Sequence, residues 1–177
     1  MARIPVPTDL PGIIGLFAAR PDTAGPLREL AETLLRRDDG LGRDERELLA
    51  TAVSARNDCG FCRDSHAAVA AAHLGDDDAL ADAARQGRLA DVAPPRLAAL
   101  TRLAEAVADG GRIAEDLFTA ARDAGAGDDQ LHDTVLIAAA FAMFNRYVDG
   151  LAADPADQDA YAAMGRQLAT HGYRAAP

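Results

Sequence analysis

Lysine is missing from this 177-residue chain, so all 18 basic residues are arginine, and 28 acids outnumber them for a formal charge of −10. A chain of that charge repels a polyphosphate backbone, which sets nucleic acid aside as an expected partner. The missing lysine, alongside abundant alanine, reads as a GC-rich coding background and carries no functional weight. Long apolar runs are also lacking. The longest, Val135 to Phe144, has about half of the roughly 20 residues a membrane-spanning helix needs, so it reads as core and no membrane partner is expected. Met1 to Leu10 lacks the charged start and apolar centre of a secretory signal, which leads us to expect a cytoplasmic protein. Cysteine is scarce as well. Cys59 and Cys62 are too few and too close to staple a secreted scaffold, and in a reducing compartment such a pair points to redox or metal chemistry.

What is present is ordinary globular composition, 49% hydrophobic and 26% charged, in a length that makes one domain spanning residues 1–177. Apolar residues recur at helical spacing almost throughout, and strand-like alternation is scarce, so the fold class expected is all-α, a multi-helix bundle. Helices are expected over Pro11 to Arg20, ended by Pro21, and along the Leu27, Leu30, Ala31 and Leu34 stripe up to Asp38-Asp39-Gly40. A third follows Asp44 to the turn at Asn57-Asp58, and a fourth runs from Cys59 to Leu74 and breaks at Gly75. Asp76, Asp77 and Asp78 start a fifth. Pro94-Pro95 opens a sixth up to Gly110-Gly111, with Gln86 to Pro95 a possible divide between two halves of one bundle. A seventh covers Ala114 to Ala124, Asp128 or Asp129 caps a long eighth through Tyr147, and the last spans Ala156 to Ala169.

The chemistry concentrates in Cys59-Gly60-Phe61-Cys62-Arg63-Asp64-Ser65-His66, which sets two thiols and an imidazole on one helical face. A thiol is nucleophilic only as thiolate, and a helix start and a neighbouring imidazole both favour that form. Cys59 lies nearest the helix start and would feel the dipole most, whereas Cys62 sits one turn below His66, which would take its proton. Spacing alone does not choose the attacking sulfur. Glu47 lies 12 positions before Cys59, so a helical hairpin would return its carboxylate to orient His66. Asp44-x-x-Glu47 is equally a capping-box pattern, in which Glu47 would bond its own helix start. Glu45 is a rival carboxylate that leaves the helix in another direction.

Other readings of the same residues stay open. The cysteines could be two small buried hydrophobes, or Cys59, Cys62 and His66 with His73 or Glu47 could hold zinc, though no second Cys-x-x-Cys accompanies them. Haem attachment is excluded because Arg63 stands where His is required. His73 shares the face of His66 but reads as a helix-end cap, and neither His132 nor His171 has a thiol or acidic neighbour that raises it above a surface position. Phe141, Met143 and Phe144 belong to an apolar helix that is core or an oligomer contact and could wall a pocket over the thiols. Asn145 interrupts that helix and needs a partner if buried.

Glu47, Cys59-x-x-Cys62 and His66, with the flanking Glu47-Leu48-Leu49-Ala50-Thr51-Ala52-Val53-Ser54 helix, resemble the signature of the AhpD-like alkyl hydroperoxidases of the carboxymuconolactone decarboxylase superfamily. Phe144-Asn145-Arg146 is similar to the late helix of its peroxidase-related branch, so the likeness extends over residues 41–151. It implies a helical homo-oligomer, trimer or hexamer, and a thiol peroxidase that uses no haem, metal or other cofactor. By the same resemblance Cys62 is the peroxidatic thiol that becomes a sulfenic acid, and Cys59 the resolving thiol that closes a disulfide. His66 and Glu47 form the proton relay, a hydroperoxide is the substrate, and a lipoyl domain or thioredoxin-type protein restores the dithiol. Phe61 departs from the pattern, since well-studied members carry His between the cysteines, and the motif lies in the first half of the chain. The rivals are a redox sensor or interaction protein whose disulfide alters assembly, and a structural zinc domain.

Overall fold

The computed structural model describes residues 2–7, 10–75 and 78–174. Among them are ten helices and no strand. The first four are α1 (Gly12–Ala19), α2 (Pro21–Leu35), α3 (Arg43–Arg56) and α4 (Gly60–Leu74). Pro21 opens α2 at its first position, where the missing N–H costs nothing, so it starts the second helix as it ends the first. Then come α5 (Ala79–Arg85), α6 (Leu89–Val92), α7 (Pro95–Gly110), α8 (Glu115–Asp123), α9 (Asp128–Gly150) and α10 (Gln158–His171). Asp76 and Asp77, expected at the start of the fifth helix, lie outside the described residues. The Gln86 to Pro95 stretch carries α6, whose Leu89 is wholly buried in the main core.

Two helix starts differ from expectation. Gly127, with extended backbone, is the N-cap of α9, and Asp128 and Asp129 lie in its first turn beside the helix dipole. Gln130 Oε1 accepts the Gly127 N–H at 3.1 Å, the side-chain half of a capping box. At α3 the N-cap is Gly42, and its N–H is accepted at 3.0 Å by Glu45, not Glu47. The capping box therefore shifts by two residues and releases Glu47 inward.

Helix α3 is the axis of the bundle, buried continuously from Arg46 through Ser54 and packed on α4, α7, α9 and α5. A buried arginine fixes where it begins. Arg46 is 0% exposed, and its guanidinium donates to Asp133 Oδ2 at 2.8 Å, Leu34 O at 2.9 Å and Leu41 O at 3.1 Å. Those bonds tie the α2–α3 connection to α9 and compensate a charge that burial would otherwise penalise by several kcal/mol, about 3–5 if one partner is removed.

Helix α4 lies between α3 and α10. The approach of α10 is close because Gly165 has no side chain: a Cβ there would stand 2.6 Å from the Ala68 backbone. Asp157 caps α10, accepting the Ala160 N–H at 2.7 Å. At the other end Arg36, the C-cap of α2, donates to the Leu168 and Ala169 carbonyls at 2.9 and 2.8 Å, using the orphan acceptors of a helix C-terminus. Glu32 Oε2 then accepts the Tyr173 N–H at 2.7 Å, so α2 directs the residues after α10 back over α3 and α4.

Candidate thiol site

The α3–α4 turn, with Asp58 in the left-handed region at φ 57°, delivers Cys59 as the N-cap of α4 and Cys62 one turn inside it. Both are free thiols, buried at 0% and 3% exposure, and they approach to 3.6 Å. One turn further, His66 Nδ1 meets Glu47 Oε2 at 2.7 Å. With the carboxylate accepting the Nδ1 proton, the imidazole keeps its Nε2 lone pair as a base. The ring stands edge-on to Phe141, 4.6 Å between centroids, and stacks on Tyr173 at 5.9 Å, which limits its rotation.

Two partners in this cluster escape sequence reasoning. Tyr173 donates its hydroxyl to Glu47 Oε1 at 2.5 Å, so the carboxylate, 1% exposed, is held from both sides by His66 and Tyr173. Burial, then the Glu47 charge, push the Tyr173 hydroxyl well above its ordinary range, which keeps it a donor. Tyr173 is 126 residues from Glu47 in a segment without a motif, and no local pattern points to it. Asn145 was legible as a buried polar residue but not by its partners. It is 1% exposed, accepts from Asn57 Nδ2 at 2.9 Å and donates to Ser54 Oγ at 3.0 Å, which fixes which way its amide faces.

These contacts separate the two thiols. Cys62 is held below the ordinary thiol value, chiefly because the Cys59 S–H bonds to its sulfur; burial opposes this, and the His66 charge and the Asn145 amide assist. Cys59 is pushed far up, by donating to Cys62, by burial and by the negative charge it faces. Nearness to the helix start, which favoured Cys59 in the sequence, is outweighed by these partners. Of the two, Cys62 is the more acidic thiol.

Cys62 and His66 lie on the wall of a cavity of about 380 Å³ between α1, α2, α4, α9 and α10, while Cys59 and Glu47 lie behind that wall. Phe61, Phe141 and Phe144 also line it, whereas Met143 is 43% exposed and turns away. His171 reaches the cavity as well, but His73 does not, and His132 is exposed beside Asp133. Among the described residues no three His, Cys, Asp or Glu side chains are grouped to hold a metal ion, and no helix is long and apolar enough to cross a membrane.

Residues 21–106, which include Glu47, both cysteines and His66, match the carboxymuconolactone decarboxylase family. The crystal structure of an uncharacterized peroxidase-related protein from Ralstonia eutropha JMP134, described as an alkylhydroperoxidase AhpD core, superposes with a TM-score of 0.79 at 27% identity, over 93% of this chain and 96% of that one. Residues 21–106 thus carry the carboxymuconolactone decarboxylase family match within an AhpD-like fold. An uncharacterized peroxidase-related protein from Silicibacter sp. TM1040 shares the fold, with a TM-score of 0.76 at 22% identity over 88% and 81% of the two chains. A search of curated proteins finds no match. The ten-helix bundle is thus the AhpD-like fold, with the Cys-x-x-Cys at the start of its fourth helix.

Proposed function

We propose that this AhpD-like protein is a thiol peroxidase that reduces hydroperoxides through a Cys59/Cys62 dithiol–disulfide couple. One observation carries the reading: a buried thiolate-forming cysteine on a cavity wall has a second thiol at 3.6 Å behind it and a His66–Glu47 pair one turn away. Each part has a task. His66 Nε2 takes the Cys62 proton, and the thiolate attacks the terminal oxygen of the peroxide. The S–O bond forms as the O–O bond breaks, so Cys62 becomes a sulfenic acid, and the departing alkoxide recovers the proton from His66 as an alcohol.

Cys59 resolves the intermediate. Its sulfur attacks the Cys62 sulfenic acid, the disulfide forms, and the hydroxyl leaves with the Cys59 proton as water. An external dithiol, a lipoyl domain or thioredoxin-type protein, supplies two electrons and two protons for the next cycle. No metal or other cofactor takes part. Glu47 and Tyr173 act through the imidazole as positioning residues. A homo-oligomer, trimer or hexamer, in the reducing cytoplasm completes the proposal.

Peroxide consumption with a dithiol reductant tests it. Cys62→Ser abolishes turnover, and Cys59→Ser reacts once and accumulates a sulfenic or sulfinic acid. Equal behaviour of the two variants refutes the division of roles, and stoichiometric oxidation that no dithiol reverses identifies a redox sensor.

A further inference from the structure

Ser65 lies one turn beyond Cys62 on α4, 3% exposed on the cavity wall, and its hydroxyl has no hydrogen-bond partner among the described residues. A helical serine or threonine ordinarily satisfies itself on the carbonyl four residues back, as Thr51 and Ser54 do at 2.8 Å. Ser65 does not. The adjacent His66 commits its Nδ1 to Glu47. The fold therefore bears an unmade hydrogen bond beside its most nucleophilic sulfur, a cost that a bound ligand would remove.

The rest of the cavity describes that ligand. Phe17, Leu27, Phe61, Phe141, Phe144 and Met164 make it apolar, and about 380 Å³ lies within the range of small-molecule sites. Phe61, between the cysteines, has no donor to offer a peroxide oxygen.

We infer that Ser65 donates its hydrogen bond to the peroxide group of an apolar organic hydroperoxide, whose carbon skeleton occupies the cavity; this rests on the peroxidase reading above. The bond goes to the carbon-bound oxygen. As Cys62 takes the terminal oxygen and the O–O bond breaks, the electron pair departs on the carbon-bound oxygen, where the Ser65 hydroxyl steadies it until His66 returns the proton. Hydrogen peroxide presents no skeleton to the phenylalanines and gains only the polar part of this recognition.

The experiment follows Cys62 oxidation by stopped flow in the reduced full-length protein with cumene hydroperoxide and with hydrogen peroxide. Wild type reacts about tenfold or more faster with the organic peroxide. Ser65→Ala slows that reaction by about tenfold, less than the 10²–10³ of a dedicated oxyanion donor because the proton returned by His66 limits the charge on the departing oxygen. Iodoacetamide alkylation of Cys62 stays as in wild type, and the melting temperature holds or rises, because an unsatisfied hydroxyl has been removed. Ala163→Phe, at an exposed α10 position on the cavity wall, lowers the ratio of organic to hydrogen peroxide rates. Equal wild-type rates for the two peroxides, an unchanged Ser65→Ala rate, a lowered melting temperature, or an unaltered ratio in Ala163→Phe overturns the inference. Oxidation by neither peroxide in any variant is a different result and removes the peroxidase reading itself.

Discussion

Removing Cys59 should make Cys62 a weaker acid, although the two thiolates would repel if both formed. In the native dithiol Cys59 stays protonated and its S–H is the largest influence holding Cys62 down. Cys59→Ala deletes that donor and leaves the opposing burial in place. A hydrogen bond to a charged group is worth about 1.5–3 kcal/mol, and a thiol is a weak donor, so the loss is near the low end. At about 1.4 kcal/mol per pH unit, the Cys62 titration moves up by roughly one unit. At pH below both titration midpoints the thiolate fraction then falls about tenfold, while the more basic thiolate gains part of this back in nucleophilicity, with a Brønsted slope of about 0.4–0.5. The net result is an alkylation rate about three- to fourfold slower on the rising limb below both midpoints, with the plateau at high pH faster than in wild type. Iodoacetamide kinetics across pH measure both arms. A titration midpoint that is unmoved or lowered would refute the donor role of Cys59 and with it the reason Cys62 is the acidic thiol.

Tyr173→Phe removes one of the two bonds on buried Glu47, about 1.5–3 kcal/mol, and at about 2–4 °C per kcal/mol the melting temperature falls by roughly 3–12 °C. Oxidation of Cys62 by peroxide slows in parallel, since His66 loses a fixed partner; a variant unaltered in both would show that the ring only fills space. Asp133→Ala leaves buried Arg46 with only the 3.5 Å contact to exposed Asp39 as counter-charge, a loss of about 3–5 kcal/mol that lowers the melting temperature by roughly 6–20 °C, and scanning calorimetry with no shift would contradict the anchoring role.

The helices were legible where a long periodic stripe met a Gly or Asn stop, as in α3, α4 and α7. Helix α6 was not, because its four residues are too short for periodicity to register. The candidate site divides in the same way. Cys59, Cys62 and His66 share one helix and their spacing alone brings them together, whereas Glu47 had two equally regular local uses. Its fate was decided by Gly42, which recruits Glu45 for the cap at 3.0 Å. The choice between the thiols was illegible for a different reason. It depends on a bond between their side chains and on the Asn145 amide, oriented by Ser54 at a separation of 91 residues. Tyr173 and Arg46 illustrate the same limit, since each acts on a partner that only the packed bundle places beside it.

The most direct test of the redox couple is the intact mass of the reduced, metal-free protein after one equivalent of an organic hydroperoxide, followed over seconds to minutes. Loss of two hydrogens, reversed by a dithiol and absent in Cys62→Ser, is the predicted result. No change in mass, or only slow addition of oxygen atoms, would contradict the account and return the cysteine pair to a structural role.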